Sequence, residues 1–132
     1  MADSLSLSVQ MIGDITVVEA SGELDVYTHP RLTDTVKDVI VHGRTSLVLD
    51  IDELNFLDSS GLGPIVGLSK RAKAYGGFLL LVCNQEKLMK IFRITGLYKS
   101  LPIYNSVEEA LSAAEKILHP DAERRHDGPD EN

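Results

Sequence analysis

The run Phe78-Leu79-Leu80-Leu81-Val82 is apolar without interruption, with Gly76-Gly77 in front of it and Cys83 behind. A short stretch with no polar position reads as a strand covered on both faces, the kind found in parallel sheets flanked by helices. Leu47-Val48-Leu49 repeats that signature inside the strand-like run from Ser46 to Ile51. The segments around these runs have helical period instead. Leu32, Val36, Val39 and Ile40 form one stripe, with Thr28 as candidate cap, Pro30 in the first turn and Gly43 at the end. Ile65, Leu68, Ala72 and Tyr75 form a second, broken by Gly76-Gly77. A third segment opens at Asn84, carries Leu88, Ile91, Phe92 and Thr95, and stops at Gly96. The last carries Val107, Ala110, Leu111, Ala114 and Ile117 behind a Ser106/Glu109 capping box. Leu101 to Tyr104 is a short strand whose Pro102 assigns it to a sheet edge or a strand start.

The front of the chain is built differently. Leu5, Leu7, Val9 and Met11 alternate with Ser4, Ser6, Ser8 and Gln10, which predicts a strand with one wet face. Gly13-Asp14 turns the chain, and Ile15 to Ala20 returns as a more buried strand, completing an antiparallel hairpin. Gly22-Glu23-Leu24-Asp25 then reads as a polar loop. The expected fold is α/β, with a mixed, mostly parallel sheet of four to five strands, an N-terminal antiparallel hairpin and about four helices. Residues 1–118 form one domain; past His119-Pro120 the composition turns to Asp, Glu, Arg, Gly and Pro, and 119–132 reads as a disordered acidic tail.

Charge and cysteine content narrow the function. The 132 residues are 43% apolar and carry a formal charge of −7, which supports a single real core and argues against direct binding to nucleic acid or an anionic bilayer. No apolar run reaches the roughly 18 residues that span a membrane. Met1-Ala2-Asp3-Ser4 lacks the basic and apolar parts of a secretion signal. Cys83 is the one cysteine and lies in an apolar run, as expected for a buried thiol in a reducing compartment. The cytoplasm is the expected location.

The unusual chemistry is concentrated in Asn55-Phe56-Leu57-Asp58-Ser59-Ser60-Gly61-Leu62-Gly63-Pro64, where a strand hands over to a helix. Phe56 and Leu57 read as plugs that hold this loop down. A helix start offers free amides and a partial positive charge. A serine there is ordinarily an N-cap, but capping takes one serine and no glycines. Pro64 disfavours helical geometry at Gly63, so the helix could begin at Pro64 with both serines in a preceding loop. If the strands before Asp25 and Asp58 are parallel neighbours, the two loops share the sheet rim favoured by ligands of open α/β sheets.

Enzymatic readings fit this stretch poorly. A serine nucleophile needs a base, and His29 is the one candidate; its ordinary role is a solvated first-turn residue. The Gly-x-Ser-x-Gly elbow is missing. No lysine follows Gly61 or Gly63 as a phosphate loop requires. Asp25, Asp50, Asp52 and Asp58 match no calcium-loop spacing. No catalytic residue, metal ligand or cofactor is assigned. A serine that is acted upon fits better: phosphorylation adds about −1.5 to −2 charges at a helix start whose dipole tolerates them. The glycines would then let another protein's backbone approach.

Gly22-Glu23-Leu24-Asp25, Leu54 to Gly63 and Lys90 to Leu97 together resemble the signature stretches of the STAS-domain anti-sigma factor antagonists, over about Leu5 to Leu118. The resemblance implies a STAS fold that binds a serine-kinase anti-sigma factor and so frees a sigma factor. It also implies phosphorylation of Ser59 by that kinase and its reversal by a serine phosphatase. Asp25, Asp58, Ser60, Gly61 and Leu62 carry over as surrounding or partner-facing positions. The same domain could serve another signalling assembly or a transport system. A small serine hydrolase is the rival of a different class.

Overall fold

The computed structural model describes residues 4–121. Its elements are β1 (Leu5–Ile12), β2 (Ile15–Leu24), α1 (His29–Val41), β3 (Ser46–Leu57), α2 (Ser59–Ala74), β4 (Phe78–Val82), α3 (Glu86–Thr95), β5 (Ile103–Tyr104) and α4 (Val107–Leu118), with a single 3₁₀ turn at Leu97–Lys99. The strands lie in chain order, β1 antiparallel to β2 and every later pair parallel. Because the order never reverses, each right-handed crossover steps the same way and delivers its helix to the same face. The α/β class and the antiparallel entry are as the sequence predicts.

Side-chain alternation explains the two cores. Leu47, Leu49 and Ile51 of β3 and Leu79 and Leu81 of β4 face Leu32, Val36, Leu62, Ile65, Leu88 and Phe92 from α1, α2 and α3. Val48, Leu80 and Val82 face the other way, onto Ala110 and Ala114 of α4. Small residues on α4 let that helix sit close. Each fully buried leucine contributes about 2 kcal/mol.

Several local expectations are corrected. The Gly22-to-Asp25 loop is mostly strand: β2 continues to Leu24, which is fully buried. Strand β3 likewise runs on through Asn55 and Phe56 to Leu57. These polar ends stay extended because they pair with each other, Glu23 opposite Phe56 and Leu24 opposite Leu57. Gly22 allows this: a Cβ there would lie 2.0 Å from the Ser4 carbonyl oxygen, which instead accepts from the Glu23 amide at 2.7 Å. Leu57 is buried as a plug should be, whereas Phe56 is 42% exposed. The apolar face of β1 is covered only at Leu5 and Leu7; Val9 and Met11 remain exposed. α3 begins at Glu86, since Asn84 and Gln85 are engaged elsewhere: the Asn84 amide donates to Asp52 and the Gln85 side-chain amide to the Leu54 carbonyl. Cys83 is fully buried, and burial pushes its thiol pKa above the ordinary value. The tail expected at 119–132 lies, beyond residue 121, outside the described residues.

Candidate functional site

The pairing of Leu24 with Leu57 makes Asp25 and Asp58 the next residues of two adjacent parallel strands. The condition for a shared rim is therefore met. Each aspartate then organises the chain that follows it.

Asp58 is the N-cap of α2. Its Oδ1 accepts from the Ser60 amide at 3.0 Å and from the Ser60 hydroxyl at 2.5 Å, and its carbonyl accepts from the Gly61 amide at 3.0 Å. The cap is thus the aspartate and neither serine. Helix α2 begins at Ser59, so the alternative start at Pro64 does not hold; Pro64 lies inside the helix. Two features let it. The preceding residue, Gly63, has no Cβ to clash with the proline ring. The strong cap fixes the first turn before Pro64 withdraws its amide from the ladder.

The two serines are treated differently. Ser60 is half-buried and tied to Asp58, whereas Ser59 is exposed and its hydroxyl has no hydrogen-bond partner among the described residues. Beneath them, Gly61 and Leu62 are buried. A Cβ on Gly61 would lie 2.9 Å from Leu57 Cδ1 and 3.1 Å from both Leu24 Cγ and the Leu24 carbonyl oxygen. This glycine therefore serves close internal packing of α2 on β2, not the approach of an outside backbone. At Gly63, by contrast, a Cβ would meet nothing within 4 Å. Leu62 turns into the core and supports the site from below.

Asp25 builds the second half. Its Oδ1 accepts from the amides of Tyr27 at 2.9 Å and Thr28 at 3.0 Å, and the Thr28 hydroxyl oxygen lies 3.2 Å away. The buried Thr28 hydroxyl donates to the Glu23 carbonyl at 2.8 Å and accepts from the Asp25 amide at 2.9 Å. Thr28 occupies the N-cap position of α1, yet its side chain secures the turn and caps nothing. Between these anchors, Val26 and Tyr27 point to solvent, 55% and 86% exposed. Their exposure was not legible in advance; two apolar residues between an acid turn and a helix cap are the one available signal. His29 follows, half-buried, with its Nδ1 buried and unpartnered among the described residues, so it is not the solvated residue expected.

Asp50, farther back on β3, is 7% exposed and accepts from the Asp52 amide at 3.0 Å. Burial, with lesser help from Glu19, Asp52 and Glu53, pushes its carboxyl pKa above the ordinary value. Among the described residues, no three histidine, cysteine or carboxylate side chains gather in a way that could hold a metal ion. None of the described helices is long and apolar enough to cross a membrane.

The STAS domain family profile matches residues 6–110. The chain belongs to the STAS domain family. An anti-sigma-B factor antagonist of Bacillus subtilis is 38% identical over 80 residues, covering 61% of this chain and 72% of the relative. An anti-sigma F factor antagonist of Paenibacillus polymyxa is 29% identical over 115 residues, 86% of this chain and 98% of that one. The crystal structure of an anti-sigma factor antagonist from Mycobacterium paratuberculosis superposes with a TM-score of 0.79 at 28% identity, covering 86% of this chain and 96% of that one. The STAS fold and the resemblance to anti-sigma factor antagonists are thereby established for this chain.

Proposed function

We propose that this STAS protein is an anti-sigma factor antagonist of the cytoplasm that acts by binding and not by catalysis. In its unmodified form it engages a serine-kinase anti-sigma factor, which lets go of its sigma factor. The kinase phosphorylates Ser59 and so ends the interaction; a serine phosphatase restores it. The observation that carries this reading is the contrast between the two serines: Ser60 is bound to Asp58, while Ser59 stands exposed on the first turn of a 16-residue helix. Asp25, Asp58, Ser59 and Ser60 form the rim toward the partner, and Gly61 and Leu62 hold that rim in shape.

The switch is electrostatic. A phosphate on Ser59 sits beside Asp58 and near the start of α2, so the helix end tolerates it while the rim as a whole becomes more acidic. Incubating the protein with its cognate kinase and ATP, then mapping the phosphosite, tests the assignment. Label on Ser59 is the expected result. Label confined to Ser60, or no label at all, would overturn it.

A further inference from the structure

We infer that Val26 and Tyr27 form a preorganised apolar hook that supplies most of the grip on the kinase partner, and that Asp25 holds the hook in place. This rests on the binding reading above.

The Asp25 carboxylate is engaged internally, by two amides of its own turn. Thr28 ties the same turn to the Glu23 carbonyl from beneath. A tyrosine 86% exposed on a turn so firmly held loses little freedom when it is bound, and preorganised aromatic anchors dominate interface energetics. Phe56, opposite Glu23 in the sheet, adds a third exposed apolar side chain at the base.

The occupant follows from position and charge. Leu24 and Leu57 are paired neighbours, so the turn that carries the hook and the helix start that carries Ser59 leave the same rim side by side, and a protein that reaches Ser59 approaches along the edge where the hook stands. Glu23, Asp25 and Asp58 make no ion pair among the described residues. A second copy of this chain would set the same acids against each other. The partner therefore offers an apolar recess that accepts a phenol ring, edged by basic or neutral groups.

Calorimetry of the full chain against the cognate kinase tests this. Tyr27→Ala should weaken binding about 30-fold or more. Tyr27→Phe should stay within about threefold, because it keeps the ring. In Ser59 phosphorylation assays, Tyr27→Ala should raise KM and leave kcat unchanged, as expected when binding common to ground and transition states is lost. Thermal melts of these variants should match the parent, since the side chain is exposed. Equal affinities for parent and Tyr27→Ala would overturn the hook while leaving the binding reading intact. Failure of the parent to bind would remove both. Sedimentation showing a dimer that Tyr27→Ala abolishes, with kinase affinity unmoved, would reassign the hook to a second copy.

Discussion

The turn at Asp25 and the helix start at Asp58 use one device for two ends. In both, a carboxylate oxygen accepts from the amide two residues on, Tyr27 in one case and Ser60 in the other, at 2.9 and 3.0 Å. In both, a hydroxyl lies against that carboxylate, Thr28 at 3.2 Å with its proton on the Glu23 carbonyl and Ser60 at 2.5 Å as donor. What lies between differs. The first turn holds out Val26 and Tyr27; the second holds out Ser59. The apolar pair offers contact area, whereas the Ser59 hydroxyl offers little and gains charge on phosphorylation. The difference teaches that recognition and switching can be separated on one rim.

A negative charge at position 59 should break that balance most sharply. Ser59→Asp is expected to weaken kinase binding far more than Ser59→Ala, up to about 4 kcal/mol for one like-charge contact near ~4 Å at a surface. Salt should shrink the gap, since exposed charges are screened. Calorimetry at low and high ionic strength would measure both. Equal affinities for the two variants would refute the electrostatic switch.

Next in size is the residue joining the halves. Gly61→Val places methyl groups where even a Cβ is 2.9 Å from Leu57 Cδ1 and 3.1 Å from Leu24. Overpacking of this kind costs about 2–3 kcal/mol. The urea midpoint should fall with the slope unchanged. Because the displaced segment carries Leu24 and the start of α2, hook and hydroxyl should be disturbed together.

The two carboxylates separate again when removed one at a time. Asp25→Ala strands two amides and a contact to a buried hydroxyl, at a cost of about 2 kcal/mol. Asp58→Ala loses one helix cap, about 1 kcal/mol. Equilibrium unfolding of both variants would rank them, and the reverse order would mean that the Asp58 turn is the more rigid half.

What the sequence shows of this rim follows from the range of the forces involved. Phe78 to Val82 and the four helical stripes are legible because their periods are local. Ser59 is legible as a candidate because two hydroxyls beside an acid and two glycines are rare at a helix start. The ends of β2 and β3 are not legible: Glu23 and Asn55 are poor strand residues, kept extended by pairing between segments about thirty positions apart. Gly61 likewise reads as an open approach until its neighbours Leu24 and Leu57, from two different strands, are in place. The Thr28 hydroxyl is misread for the same reason, since its acceptor is five residues back across a turn.

A third aspartate sharpens the comparison by its cost. Asp50 repeats the motif, accepting from the Asp52 amide at 3.0 Å, but inside a strand and 7% exposed. Burial, reinforced by Glu19, Asp52 and Glu53, raises its carboxyl pKa. Between the unfolded and folded pKa values the native state binds more protons than the unfolded chain, so stability falls as pH rises through that window. The stabilisation linked to this proton is complete below the unfolded value, about 3.9, and gone above the raised folded value. Asp50→Asn removes the charge and keeps an oxygen for the Asp52 amide. At neutral pH the variant should be the more stable of the two, the gap closing as pH falls toward the ordinary carboxylate range. Thermal melts of parent and variant from pH 7 to pH 4 would read it directly; a gap that widens on acidification would show that Asp50 is stabilised as a carboxylate.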